Sequence, residues 1–196
     1  MSEGILTPGE EQEWIDDYFE RYRRALRPED VKTQMVAFRD LVCGLRETRG
    51  KLIFAGNGAS AGIASHGAVD FSKQGGVHAI DFNEPNLITA LSNDYGFEVW
   101  IVNALRIYAQ PGDAVVLISS SGRSANVVNA ARYAKERGLK VVTFTGFAAE
   151  NPLKSFGDIN FWVDSRAYNV VECTHMIWMT MVCDMVIGRV EYSTHG

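Results

Sequence analysis

The 196-residue chain is poor in cysteine, with three in all, and poor in proline, with five. Cys43, Cys173 and Cys183 are odd in number, widely spaced and form no CxxC pair. That excludes a disulfide framework and a cysteine zinc site, and three buried, reduced thiols are expected. Positive charge is also short: 19 Lys and Arg face 24 Asp and Glu, for a net charge of -5. Such a chain has no broad basic surface to neutralise a phosphodiester backbone, so a direct nucleic-acid partner is not expected. Residues Met1 to Glu13 lack the positive start and the apolar run of a secretion signal. The longest apolar candidate for a membrane span, Met176 to Ile187, is broken by Thr180 and Asp184. No membrane partner and a cytoplasmic location are the resulting expectations. Repeats, low-complexity tracts and linkers are absent, and the length suits one well-buried core.

What is present is an ordinary globular composition, 46% hydrophobic and 22% charged, with 18 glycines. Trp14, Ile15, Tyr18, Phe19 and Tyr22 recur at three- and four-residue spacing, and Val31, Met35, Phe38, Leu41, Val42 and Leu45 do so again after Pro28. This spacing predicts two amphipathic helices in residues 1–50, with faces generous enough for an oligomer interface as well as core packing. From Lys51 the pattern changes to short apolar runs, each followed by a helical pattern. Residues 51–55, 78–82, 114–119, 140–145 and 160–163 read as strands, with helices at 60–72, 95–109, 124–138 and 168–190. Strands apolar on both faces and alternating with helices predict an α/β fold, a five-stranded parallel sheet covered by helices on both sides. In such a sheet, ligands bind beyond the carboxyl ends of the strands, where connections diverge to opposite faces.

Two loops there carry chemistry. After the third strand comes Ser119-Ser120-Ser121-Gly122-Arg123-Ser124, which feeds a helix. Hydroxyl donors, a glycine and a helix N-terminus together suit an anion, phosphate above all. The plainer reading is that Ser124 caps the helix and the other serines fill a turn. The first strand ends Gly56-Asn57-Gly58-Ala59-Ser60-Ala61, which fits G-x-G-x-x-A, with Asp81 following about twenty residues later. Read as a dinucleotide fingerprint, this would make the protein a nucleotide-dependent oxidoreductase. The chain has no room for a substantial second catalytic domain, and a serine-rich loop on a later strand is foreign to that fingerprint. Asn57, Gly58 and Ser60 are therefore expected to approach a sugar, and no nucleotide cofactor is expected.

These runs, with the acidic turn Ser92-Asn93-Asp94-Tyr95, Ala125-Asn126-Val127 and Ser165-Arg166 ahead of a helix bearing Glu172 and His175, resemble the sugar isomerase (SIS) family. Within it the chain resembles the phosphoheptose isomerases and their non-catalytic relative, the DnaA initiator-associating protein. The resemblance implies a three-layer, flavodoxin-like SIS domain over residues 51–196, with residues 1–50 supplying oligomerising helices of the same domain. It implies a homotetramer with sites between subunits and a sugar phosphate as ligand. Ser119, Ser120, Ser121 and Ser124 would hold the phosphate, Asp94 the sugar hydroxyls, and Asn57, Gly58 and Ser60 would line the pocket.

Moving a carbonyl between adjacent carbons needs a base, an acid and help for the enediolate oxygens. His66 and Asp70, at i and i+4, share one helix face. In the phosphoheptose isomerases the matching positions hold a histidine and a glutamate, then a glutamine and a second histidine, serving as zinc ligands and as acid and base. Here His66 is retained, Asp70 replaces the glutamate, Glu172 the glutamine, and Thr180 the second histidine. His66, Asp70 and Glu172 are the expected catalytic set and a possible zinc set. Thr180, which neither carries a proton near neutral pH nor readily replaces imidazole on zinc, keeps a non-catalytic sugar-phosphate-binding protein in view. His175, His78 and His195 are expected to be structural or surface residues, and Met176, Met179, Met181 and Met185 to pack a helix interface.

Overall fold

The computed structural model describes residues 7–27, 29 and 31–191; His195 lies outside them. Two helices lead, α1 (Pro8–Ala25) and α2 (Lys32–Thr48), and five strands follow: β1 (Lys51–Gly56), β2 (His78–Asp81), β3 (Ala114–Ser119), β4 (Lys140–Thr145) and β5 (Ile159–Trp162). Between and after them run α3 (Ala59–Lys73), α4 (Pro85–Tyr95), α5 (Trp100–Tyr108), α6 (Ala125–Glu136) and α7 (Tyr168–Ile187). Every strand pairing is parallel, in the order β2-β1-β3-β4-β5. The chain winds one way from β1 to β2 and the other way from β3 onward, so the crevice between β1 and β3 is the switch point.

Alternate strand residues feed two cores. Leu52, Phe54, Val116, Ile118 and Phe144 point to the side of α2, α3 and α7, whereas Ile53, Ala55, Val115, Leu117 and Val141 meet α5 and α6. Period-2 side chains that are apolar on both faces require this double cover. Phe38 of α2 is fully buried among Phe71, Phe144 and Phe161, with ring centroids 5.7 to 6.3 Å away. Asp113, 4% exposed, ties the sheet's lower end together. Its carboxylate accepts from the Lys51 and Gln110 amides at 2.7 and 2.8 Å and pairs with Lys51 Nζ at 2.7 Å.

Several expectations need correction. Ser92 to Tyr95 is no turn but the last part of α4, a helix absent from the sequence reading. Glu84 caps it, accepting from Leu87 N–H at 2.7 Å, and Pro85 opens it. The predicted helix over 95–109 is instead a 3-10 turn, Phe97–Val99, followed by α5. Of the three thiols Cys183 is buried, but Cys43 is only partly so and Cys173 is exposed. Neither Thr180 nor Asp184 interrupts α7, which at 20 residues is long and apolar enough to cross a membrane by length and composition. Thr180 fits because its hydroxyl donates back to the Met176 and Ile177 carbonyls at 3.1 and 3.0 Å. The inner face of α7, with Val171, Trp178, Met179, Val182 and Cys183, is packed into the first core, as befits a core helix. Met179 lies against Gly67 of α3, whereas Met181 is exposed.

Candidate active site

At the switch point lies a cavity of about 150 Å³ lined by Asn57, Ser60, Ile118, Ser119, Ser120, Ser121, Ser124, Tyr168 and Glu172. Strand β1 delivers Asn57 and the start of α3, and a tight approach makes this possible: a Cβ on Gly56 would come within 2.9 Å of the Ser60 backbone and side chain. Strand β3 delivers the serine loop. Glu172, from the second turn of α7, and Tyr168, from its first, close the far wall, with Tyr168 held edge-on by Phe147 at 4.8 Å.

Within the serine loop, Ser124 is the N-cap residue of α6 yet makes no side-chain cap bond. Its hydroxyl lies 3.2 Å from that of Ser119 instead. This weighs against the capping reading of Ser124, because a serine kept for capping would turn its oxygen onto the first-turn amides. Ser120 Oγ is buried without a partner, and Ser121 Oγ accepts from Arg123 N–H at 3.2 Å. Asn57 and Asn126 exchange reciprocal amide bonds of 3.0 and 2.9 Å, and Asn126 Oδ1 also accepts from Val127 N–H at 3.0 Å. The β1 and β3 turns are thus stitched together across the crevice. Hydroxyls, together with the starts of α3, α6 and α7, all turned to one small space, suit a phosphate group and the first carbons of its sugar.

The other expected site residues go elsewhere. His66 and Asp70 do share a face, with Nε2–H donating to Oδ2 at 3.0 Å, but neither lines the serine cavity. Asp70 lies instead near Cys183, whose thiol is pushed up to about 12 by burial first and by the Asp70 and Asp184 charges next. Asp94 is exposed at the end of α4, accepting from Asn93 Nδ2 at 2.9 Å, and Gly58 is likewise outside the cavity. Among the described residues no three His, Cys, Asp or Glu side chains stand close enough to hold a metal ion. Within one chain His66, Asp70 and Glu172 are therefore not a zinc set; helical spacing aligned the first two, but Glu172 lines a cavity that they do not. His78 is exposed. His175 is fully buried, its Nε2–H donating to the Thr145 carbonyl at 3.0 Å and its Nδ1 without a partner. Burial pulls its pKa from 6.5 to about 4.

Asn126, Ile118 and Tyr168 were not singled out as site residues in the sequence. The first had a signal, as an amide at the start of the helix after the serine loop; Tyr168 had none, since only the return of α7 brings it to the crevice.

The SIS domain family profile matches residues 17–146. A phosphoheptose isomerase from Roseiflexus sp. (strain RS-1) is 33% identical over 182 residues, spanning 88% of this chain and 91% of that protein. The structure of a phosphoheptose isomerase from Neisseria gonorrhoeae superposes with a TM-score of 0.82 at 27% identity, covering 90% of this chain and 98% of the other. One from Francisella tularensis shares the fold, with a TM-score of 0.83 at 24% identity over 94% and 100% of the two chains. A serine-lined crevice at a β1/β3 switch point and full-length likeness to these proteins meet in one conclusion: the chain belongs to the phosphoheptose isomerase family of SIS-domain proteins.

Proposed function

We propose that this protein is a sugar-phosphate isomerase that interconverts sedoheptulose 7-phosphate, or a closely related ketose phosphate, with its aldose isomer. The observation that carries the reading is the Ser124 hydroxyl, withheld from capping α6 and turned with Ser119 toward the cavity that Glu172 closes. The serine hydroxyls hold the phosphate, and Asn57 and Ser60 border the adjoining sugar. Glu172 is the one carboxylate among the residues lining the cavity, and so is the base that removes the proton alpha to the carbonyl. The carboxylic acid so formed returns that proton to the neighbouring carbon while the hydroxyl proton passes from one enediol oxygen to the other, so that one residue serves both proton transfers at carbon.

Zinc, expected from the family resemblance, does not fit the donors of one chain; any ion would need a second subunit's ligands, and no step here runs through it. The homotetramer and cytoplasmic location expected from the sequence belong to this proposal. The exposed Trp14, Ile15 and Phe19 of α1 support self-association, and Asp94, remote from its own cavity, is free to border a neighbour's.

The second reading, a sugar-phosphate-binding protein without turnover, is favoured by Thr180, whose hydroxyl is spent on its own helix. Incubation with sedoheptulose 7-phosphate and a panel of ketose phosphates separates the two. An aldose phosphate should form, and Glu172→Gln should lower kcat by about 1,000-fold or more while phosphate affinity stays within about threefold. Tight binding without turnover by the wild type would establish the second reading, and absence of any anion binding would sink both.

A further inference from the structure

The serine loop is held from behind by the connection between β4 and β5. The carbonyls of Ser120 and Gly122 accept from Gly146 and Leu153 N–H at 2.9 and 3.0 Å, and that of Ser119 accepts from Gly122 N–H at 2.9 Å. Gly122 adopts φ +63°, and a Cβ there would overlap the carboxamide of Asn151. Asn151 is 4% exposed and does not line the cavity. Its polar groups are all engaged: Oδ1 accepts from Lys154 N–H at 3.0 Å, and Nδ2 donates to the Ala148 carbonyl at 3.0 Å and to Thr145 Oγ1 at 3.2 Å. Thr145 is itself fixed by His175 through its carbonyl.

We propose that Asn151 is a positioning residue for the anion loop. Its carboxamide, seated against the bare Cα of Gly122, fixes the curvature of residues 119–124 and so the spacing of the Ser119, Ser121 and Ser124 hydroxyls. This deepens the isomerase reading and rests on it only through the anion that the loop holds. Several hydroxyls grip one phosphate well only when all are in place together, and a displacement of about 1 Å at such a site costs up to about 100-fold. A planar amide is the group that suits the position, because it supplies two donors and an acceptor while fitting where a glycine leaves room. A carboxylate would face the Ala148 carbonyl with a second acceptor, and an aliphatic side chain would leave Lys154 N–H and Thr145 unmet.

The test compares the full-length wild type with Asn151→Ala, Gly122→Ala and the double variant. It measures inorganic phosphate binding by calorimetry and sugar-phosphate turnover. Asn151→Ala should weaken phosphate binding about tenfold and raise KM by a similar factor, with kcat within about twofold and its pH profile unmoved. Gly122→Ala should be as damaging alone; in the Asn151→Ala background the overlap with the carboxamide is gone, while the residue-151 Cβ at 2.8 Å and the penalty of φ +63° remain, so its added cost should be smaller than in the wild type without vanishing. Should Asn151→Ala fail to fold, Asn151→Ser, which keeps a hydroxyl for Lys154 N–H, carries the same expectation. A folded variant with a lower melting temperature but wild-type phosphate affinity, or strictly additive effects of the two substitutions, overturns the assignment and leaves the isomerase reading standing. A wild type that binds no phosphate overturns both.

Discussion

Lowering the pH from 7 to 5 should destabilise this protein through His175. The imidazole is fully buried on α7, with Phe144 edge-on at 5.6 Å and the Thr145 carbonyl taking its one proton. Burial depresses its pKa from 6.5 to about 4, and the Thr145 hydrogen bond offsets only part of that. A histidine depressed in the folded state contributes its full stability above its unfolded pKa and loses it as pH falls toward the folded one, because the unfolded chain takes up the proton first. With these two values the loss is about 2 kcal/mol by pH 5 and roughly 3 kcal/mol by pH 4. Against a typical total of about 5–15 kcal/mol that is a large fraction. Urea unfolding at fixed protein concentration, from pH 7 down to 4.5, should show it for the wild type. His175→Gln keeps a donor for the Thr145 carbonyl but cannot titrate, so its stability should fall by about 2 kcal/mol less between pH 7 and 5. Parallel pH curves for the two proteins would refute the assignment of a neutral, proton-refusing His175.

Ser124→Ala should weaken phosphate binding by about 1 kcal/mol yet leave the melting temperature nearly unchanged, because the lost hydroxyl makes no cap bond; a clear drop in melting temperature would restore the capping role. Asp113→Ala should destabilise by roughly 3–5 kcal/mol, since it strands two backbone amides and the largely buried Lys51 ammonium, and chemical denaturation measures this directly. Replacing both Trp14 and Phe19 with serine should dissociate the proposed homotetramer in sedimentation without unfolding the chain, because both side chains are more than half exposed in the single chain. Unchanged sedimentation would remove α1 from the interface.

The sheet was legible because its signal is local: a strand buried on both faces is a short apolar run bounded by polar residues, and all five runs lie within a residue or so of the observed strands. Helix α4 was not, since its polar tail Ser92-Asn93-Asp94 has the composition of a turn. The apolar anchor Leu91 and the Glu84-Pro85 start were the usable clues. That the four serines would share one cavity could be read because they are packed into six residues ahead of a helix. Glu172 lines the serine cavity, apart from the His66 and Asp70 with which the family resemblance grouped it. His66 and Asp70 show the boundary: helical periodicity says which residues share a face, as their 3.0 Å contact bears out, but where that face looks depends on how α3 rolls against β1 and α7. The position of Asn151 behind Gly122 depends on two loops about thirty residues apart and could not be seen in either.

The reciprocal amide pair between Asn57 and Asn126 needs no ligand atom to form and fastens one wall of the crevice to the other. Two walls that would otherwise drift independently are already riveted, so little ordering remains to be done when a phosphate enters. Capture should then proceed as a single encounter limited by orientation, with no slow isomerisation of the protein preceding or following it.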